Sequence, residues 1–240
     1  MTDTIEPIRV AILDNSIDPE VYQPVVHWTR WLPSACPWEA FTARERRFPP
    51  DLRRFTHVIL TGSEASILEP EPWVFEEAEI VEKAVGLGLS VLGSCWGHQL
   101  LACVLAGPES VGRCARPEIG WITVRMTAES GLLGPENETA DVFSSHFDEV
   151  RDPGKPFRIL ASSEDCAVQA MQFDGCPVWG LQGHPEVDIP TGLKFLGDLV
   201  DRGFKGREFL LKAIASVPRD SGLIRRIVPE FLRRKGSRED

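Results

Sequence analysis

The sequence predicts an α/β fold whose sheet is doubly wound and mostly parallel, with helices on both faces. Residues 8–13 form a nearly continuous apolar run, which is typical of a strand buried on both faces of a parallel sheet. Two further runs of this kind follow, and a segment with helical apolar spacing comes after each run. Because a strand, helix, strand order requires crossover connections, this alternation indicates a parallel sheet.

Turn and capping residues set the limits of these elements. Asp18 and Pro19 precede the first helical segment, Pro72 opens the second helix, and Gly86 ends it. Residues 44–54 are charged, contain two adjacent prolines and predict a loop. The predicted elements in chain order are a strand at 8–13, a helix at 20–32, a strand at 56–60, a helix at 72–85, a strand at 89–92 and a helix at 98–106.

The pattern changes beyond Gly120. Short strand-like runs separated by turn residues predict a small antiparallel element, and three helices follow, the last of which Pro229 is expected to bend. The runs span residues 121–126, 158–161, 167–173 and 178–182, and the helices span 191–201, 207–217 and 223–235. In a chain of 240 residues we expect one domain over residues 1–188 and a helical extension over residues 189–240 packed on it.

The composition excludes several classes of function. A net charge of -10 disfavours a nucleic-acid binder, because phosphate neutralisation needs an excess of basic residues. No apolar stretch approaches the ~18 residues that a membrane-spanning helix needs. The first residues also lack the basic start and apolar core of a signal peptide. We therefore expect a cytoplasmic protein that binds neither nucleic acid nor membranes.

The six cysteines include no C-x-x-C pair, so the sequence predicts neither a zinc site nor a disulfide framework. We expect no metal and no cofactor. Free cysteines are usually buried, and we interpret four of the six as buried structural residues. They are Cys103, Cys114, Cys166 and Cys176.

Cys95 has a different setting. It lies in the pattern G-x-C-x-G, between Gly93 and Gly97, where a predicted strand passes into a helix. This is the thiol form of the nucleophile elbow, a sharp turn that exposes one side chain and presses the residues two before and two after it against neighbouring backbone. The positive end of the helix dipole favours the thiolate. We interpret Cys95 as a nucleophile rather than as a structural cysteine.

A thiol nucleophile needs a base, and the base needs a group that orients it. His184 directly follows the predicted strand at 178–182, and Glu186 is two residues further on across a proline. Glu186 can accept a hydrogen bond from the imidazole and so select its tautomer. His184 is therefore our first choice for the base and His146 the second. The other histidines are interpreted as structural or surface residues, or as pointing away from the elbow, and they are His27, His57 and His98.

Together these segments resemble a known family. The motif G-x-C-x-G-x-Q at residues 93–99 and H-P-E at residues 184–186 resemble the signatures of the class I (triad) glutamine amidotransferases. The likeness extends from Ile8 to about Glu186. Residues 145–150, S-H-F-D-E-V, resemble the S-H-x-D-x-V segment of the GMP synthetase subgroup. The resemblance implies a flavodoxin-like fold.

The resemblance also implies a reaction. Cys95 attacks the side-chain amide of glutamine, ammonia leaves, and water hydrolyses the glutamyl thioester. His184 transfers the proton and Glu186 orients His184. The resemblance further implies that two main-chain N–H groups hold the oxyanion. One is that of Trp96, and the other comes from the turn at Gly62 and Ser63. The residues implied to position glutamine are Gln99 and the main chain at His146 and Phe147.

The sequence departs from the family pattern at several places. Gly62, Ser63 and Glu64 stand where the family has G-G-P, and Gly183 replaces the aromatic residue that often precedes H-P-E. We expect the change at Gly183 to open space beside His184. No signature of a synthase domain follows Glu186.

Three hypotheses for function remain. The first is a glutaminase that releases ammonia for an acceptor or a partner synthase. The second is a stand-alone gamma-glutamyl hydrolase or peptidase, because the same three residues act on any gamma-glutamyl amide. The third is a binding module without catalysis, which the complete set of Cys95, His184 and Glu186 disfavours. The expected ligands are therefore glutamine or a gamma-glutamyl compound.

Overall fold

Nine strands form one mixed sheet in the computed structural model, which describes residues 7–204 and 206–233. Their order across the sheet is β2-β1-β3-β4-β9-β8-β7-β5-β6. In chain order the strands are β1 Val10–Asp14, β2 Trp38–Thr42, β3 His57–Leu60, β4 Ser90–Ser94, β5 Val111–Met126, β6 Thr139–Val150, β7 Phe157–Ser162, β8 Ala170–Phe173 and β9 Val178–Leu181.

The sheet has a parallel half and an antiparallel half. Strands β2, β1, β3, β4 and β9 pair in parallel, and β9, β8, β7, β5 and β6 pair antiparallel. The α/β fold is confirmed, and the antiparallel part is larger than the small element that the sequence predicts. Ser94 at the end of β4 pairs with Leu181 at the end of β9. The residues that follow these two strands therefore meet at one edge of the sheet.

Helices cover both faces of the sheet. Along β1, Ala11 and Leu13 pack with residues of helices α2 (Pro72–Gly86) and α3 (Trp96–Ala106). Val10 and Ile12 pack with residues of helix α6 (Ile224–Arg233) on the other face. This alternation is the period of two that a strand imposes on its side chains. The helices in the described residues are α1 Pro24–Thr29, α2 Pro72–Gly86, α3 Trp96–Ala106, α4 Ile189–Asp201, α5 Arg207–Ala215 and α6 Ile224–Arg233. Within this part of the chain, no helix combines the length and apolar character needed to cross a membrane.

Helix α6 docks on the domain through its apolar face. Ile227 and Phe231 are buried beside strand residues, and Nε2 of His57 lies 3.1 Å from the main-chain oxygen of Phe231. The predicted helix at 223–235 is therefore present as α6, which continues through Pro229. The last two predicted positions, Arg234 and Lys235, lie outside the described residues.

Several elements differ from the sequence-based prediction, among them β5, which is predicted at 121–126 but spans Val111–Met126. The first helix is predicted at 20–32 but spans only Pro24–Thr29. Proline disfavours helical geometry in the residue before it, and Gln23 accordingly has φ -121° and ψ 68°. Strand β2 escapes prediction because it is a half-exposed edge strand without an apolar run. Strand β6 also escapes prediction, because several of its buried residues are polar.

Helix α2 contains a fully buried carboxyl group. Glu77 is 0% exposed, on the helix face that packs towards the sheet. Desolvation raises the pKa of Glu77 to about 8, although a hydrogen bond with the side chain of Asn15 opposes this shift. The folded protein therefore keeps Glu77 protonated at neutral pH, whereas the unfolded chain releases that proton near pH 4.5.

We expect this difference to make the free energy of unfolding depend on pH. The stability contributed by the proton is complete below pH 4.5 and is lost as the pH rises towards about 8. The loss is at most about 1.4 kcal/mol per pH unit. Urea titrations of wild type and Glu77→Gln at several pH values test this, with the exposed Glu82→Gln on the same helix as control. Equal slopes for wild type and Glu77→Gln would contradict the assignment.

Candidate active site

Cys95 lies in a strained turn between β4 and α3. Its backbone has φ 49° and ψ -103°, a conformation that non-glycine residues rarely adopt. A Cβ atom added at Gly93 would lie 2.5 Å from the main-chain carbon of Gly97, and one added at Gly97 would lie 2.4 Å from the main-chain oxygen of Leu60. The steric reason for both glycines is thus confirmed.

His184 and Glu186 follow β9, beside the elbow. The Nδ1 atom of His184 lies 2.9 Å from Oε1 of Glu186, and the main-chain N–H of His184 donates to the main-chain oxygen of Phe143. Burial disfavours the imidazolium form. Interactions with Cys95 and Glu186 outweigh this effect and raise the pKa of His184 to about 10.

Tyr22 completes this group, and the sequence patterns do not predict it. Its hydroxyl donates to Oε1 of Glu186 at 3.0 Å and lies 3.3 Å from Nδ1 of His184. Ser94 also donates to Glu186, at 3.3 Å. The only signal in the sequence is that Tyr22 is the single tyrosine of the chain. Its contacts join the loop after β1 to residues that are more than 150 positions away.

The turn at residues 62–64 also lies against His184, next to Tyr22. A Cβ atom at Gly62 would lie 2.6 Å from Cε1 of His184, so glycine leaves the space that the imidazole occupies. Ser63 lines a cavity that also contains Cys95 and His184. The hydroxyl of Ser63 accepts a hydrogen bond from the main-chain N–H of Ala65. Trp96 is the first residue of α3, where a main-chain N–H has no acceptor within the helix.

Glu64, which replaces the proline of the family pattern, has a structural role. Its carboxylate accepts hydrogen bonds from the main-chain N–H of Ile17 and from the hydroxyl of Ser16. The same hydroxyl lies 2.9 Å from the main-chain oxygen of Tyr22. Glu64 therefore holds the loop that carries Tyr22 against the site.

Gln99, His146 and Phe147 all line the cavity next to Cys95. The side-chain amide of Gln99 donates to the main-chain oxygen of Asp148 at 2.7 Å, which joins α3 to β6. The Nε2 atom of His146 lies 2.9 Å from Oε2 of Glu118, and its Nδ1 lies 3.0 Å from the main-chain oxygen of Asp148. Because both ring nitrogens of His146 have these partners, the geometry favours His184 as the base.

The remaining histidines are not arranged for catalysis on Cys95. His98 is fully buried and its Nε2 contacts the main-chain oxygen of Val168 at 3.2 Å. Burial lowers the pKa of His98 to about 3, so it stays neutral. His57 contacts α6. His27 lies at the cavity wall, where its ring packs 5.5 Å from that of Tyr22.

Gly183 does not open space beside His184, contrary to our expectation. A Cβ atom there would lie 3.1 Å from a methyl group of Val142 and 3.2 Å from the main-chain oxygen of Phe143. The residue faces β6 at close range rather than the cavity. A side chain at this position would require the neighbouring atoms of Val142 and Phe143 to shift by a few tenths of an ångström.

One buried group could offer metal ligands. Within the described residues, ligand atoms of Glu118, His146 and Cys166 lie within 4.8 Å of one another. Glu118 already accepts hydrogen bonds from Ser163 and Gln169 and is paired with His146. Burial raises the pKa of the Cys166 thiol to about 12. The set is thus a satisfied hydrogen-bond network with a protonated thiol, and the hydrogen bonds account for its geometry.

A cavity of about 470 Å³ opens above Cys95 and His184. One part is polar and contains the residues already described. The other part is apolar and is formed by β6, α4 and the residues after α4. The apolar lining residues are Phe143, Phe147, Val187, Phe195, Leu199 and Phe204.

Comparison with known proteins gives the family of the chain. A family model described as "Glutamine amidotransferase class-I" matches residues 42–197, which is more than half of the sequence. A solved glutamine amidotransferase from Thermotoga maritima has the same fold, with a TM-score of 0.73 at 21% identity over 95% of this chain and 99% of that chain. The chain belongs to the class-I glutamine amidotransferase family.

Within the family, the chain is similar to glutamine-hydrolyzing GMP synthases. One relative is a subunit of the GMP synthase of Saccharolobus solfataricus, with 36% identity over 137 residues, which covers 57% of this chain and 70% of that protein. Another is the GMP synthase of Vibrio atlanticus, with 31% identity over 209 residues, which covers 83% of this chain. The chain spans only 37% of the Vibrio protein.

The contacts of Tyr22 generate a prediction. Tyr22→Phe removes the hydroxyl that donates to Glu186 but keeps the ring, which packs against Phe195. We expect kcat for glutamine hydrolysis to fall about tenfold with little change in KM, because the imidazole loses part of its orienting network. Steady-state kinetics at several pH values measure this effect. An unchanged kcat across the pH profile would show that Tyr22 only fills space.

Proposed function

We propose that the protein hydrolyses the side-chain amide of glutamine through a thioester on Cys95 and releases ammonia for an acceptor or a partner synthase. The observation that carries this proposal is the shared cavity. Cys95, on a strained elbow, lies in the same cavity as His184, whose Nδ1 is 2.9 Å from a buried carboxylate of Glu186. This is the arrangement of a nucleophile, a base and an orienting group.

The first half of the reaction forms the thioester. The thiol proton of Cys95 resides on His184 before the attack, consistent with the raised pKa of His184. The sulfur then attacks the amide carbon of glutamine. The main-chain N–H groups of Trp96 and Ser63 stabilise the oxyanion, because fixed dipoles aimed at developing charge need no reorganisation. His184 then gives its proton to the amide nitrogen, and ammonia leaves.

The second half releases glutamate. Water enters, His184 takes a proton from it, and the hydroxide attacks the thioester carbon. The carbon–sulfur bond then breaks, glutamate leaves, and His184 returns the proton to the sulfur of Cys95. Glu186 stabilises the imidazolium in both halves, and its low pKa is consistent with this role. Desolvation alone would raise the pKa of Glu186, but the charge of His184 and the hydrogen bond to it lower it.

Substrate positioning falls to the polar part of the cavity. We assign Gln99 and the main chain at His146 and Phe147 to the glutamyl moiety, together with Gly62, whose lack of a side chain admits His184. Glutamine carries both a carboxylate and an ammonium group, so main-chain donors and acceptors suit it. The reaction needs no metal or cofactor in this scheme.

The destination of ammonia is a separate part of the proposal. The relatives are named as glutamine-hydrolyzing GMP synthases or as one subunit of such enzymes. By analogy, we propose a synthase partner or another acceptor for this chain, in the cytoplasm and without nucleic acid or membrane. We also propose that residues 1–188 form the amidotransferase domain and that residues 189–240 extend it.

Substitution of the two proposed proton-handling residues tests the mechanism. We expect His184→Ala to lower kcat about a thousandfold or more, and Glu186→Gln to lower it less, because Glu186 only orients the base. The control is His98→Ala, which removes a histidine that faces Val168, and its activity per folded molecule should change little. Glutamate and ammonia are measured after incubation with glutamine, and thermal melts give the folded fraction. A fully active His184→Ala would overturn the proposal.

A further inference from the structure

The cavity extends well beyond the residues that a glutamyl group needs. Its volume of about 470 Å³ falls within the range of about 300–1,000 Å³ that is typical of pockets for drug-sized ligands. Glutamine is a small polar molecule, and the polar part of the cavity accounts for its recognition. Apart from the main chain at Phe147, the proposed mechanism assigns no residue of the apolar part to the binding of glutamine.

The apolar part of the cavity, called the apolar wall from here on, begins beside His184, the proposed proton donor. The ring of His184 lies 6.3 Å from that of Phe143 and 5.6 Å from that of Tyr22, measured between ring centroids. Phe195 of α4 packs edge-on against both neighbours, at 6.0 Å from Phe143 and 5.9 Å from Tyr22. His184 protonates the leaving group in the proposed mechanism, so the leaving group departs at this aromatic surface.

The outer end of the wall comes from residues that the family model does not match. Leu199 and Phe204 line the cavity but lie after residue 197, where the match ends. The main-chain N–H of Phe204 donates to the main-chain oxygen of Leu199, and its ring lies 6.0 Å from that of Phe147. The extension of this chain therefore builds one side of the cavity.

Whether the apolar wall can bind the leaving group depends on the chemistry of that group. Ammonia is small and polar, and it gains nothing from contact with aromatic rings. When an apolar group of the amine contacts the wall, its surface is removed from water, and this transfer has a favourable free energy. The wall can therefore bind such a group. The half-buried Phe147, Phe195 and Phe204 are still partly open to solvent and can be covered by such a group.

We propose that the substrate class of this site includes gamma-glutamyl amides whose amine part carries an apolar group of aromatic size, such as the phenyl ring of gamma-glutamyl-phenylalanine. The inference rests on the proposed function, because the same Cys95 and His184 perform the chemistry. The bond between the side-chain carbonyl carbon (Cδ) of the glutamyl group and the amide nitrogen breaks, and a bond between that carbon and the sulfur of Cys95 forms. His184 transfers the thiol proton to the leaving nitrogen. Water then hydrolyses the thioester, and the products are glutamate and the free amine.

The experiment measures kcat/KM of the full chain for three substrates, which are glutamine, gamma-glutamyl-glycine and gamma-glutamyl-phenylalanine. We expect kcat/KM to be at least about tenfold higher for gamma-glutamyl-phenylalanine than for gamma-glutamyl-glycine, because the phenyl ring is buried against the wall. Phe204→Ala should reduce that ratio towards one. Leu211→Ala, which changes an exposed apolar residue of α5 outside the cavity, should leave the ratio as it is.

The outcomes separate this inference from the proposed function. Hydrolysis of glutamine without a preference for the phenylalanine derivative overturns the inference and leaves the proposed function standing. Hydrolysis of gamma-glutamyl-phenylalanine without hydrolysis of glutamine supports the inference and overturns the glutaminase proposal. If the folded protein hydrolyses none of the three, both are wrong. A preference that Phe204→Ala and Leu211→Ala reduce equally contradicts the placement of the ring against the wall.

Discussion

The strained main chain at Cys95 is the constraint on which the site depends. A positive φ at a non-glycine residue costs about 1–3 kcal/mol and persists only where the surroundings enforce it. Here Gly93, Gly97 and Leu60 pack backbone against backbone, and the N–H of Cys95 donates to the main-chain oxygen of Leu181 at 2.7 Å. The elbow is thus tied to β3, β4 and β9 at once. Moving any of these strands would move the sulfur.

The same three strands deliver the partners of Cys95. Their carboxyl ends lie side by side, so the turn at Gly62, the elbow at Cys95 and the loop at His184 meet although they are far apart in sequence. This is the usual position of ligand sites in open α/β sheets. Tyr22 lies in the loop after β1, and its hydroxyl contacts His184 and Glu186. The ends of these strands therefore place the candidate catalytic residues, and residues of β6, α4 and the segment after α4 line the cavity beside them.

The sequence predicts what depends on local pattern. Buried strands such as β1, β3 and β4 have apolar runs, and the elbow has its glycines, so these features are visible without a structure. His184 and Glu186 are two residues apart, which makes their pairing predictable. Tyr22 and Glu186 are 164 residues apart, and no local pattern announces their contact. Strand β6 is hidden because buried polar residues such as His146 replace the apolar alternation. The amphipathic helix α6 is predictable from its sequence, but the surface of the domain that it covers is not.

The central claim is that Cys95 carries a glutamyl thioester, and acid-quench mass spectrometry tests it most directly. The protein is mixed with excess glutamine, quenched in acid during turnover and digested, and the peptide that contains Cys95 is weighed. The account predicts an added glutamyl group on Cys95 that hydroxylamine removes, and none in Cys95→Ser. Glutamate production with no adduct on Cys95, at an equal rate in Cys95→Ser, would contradict it.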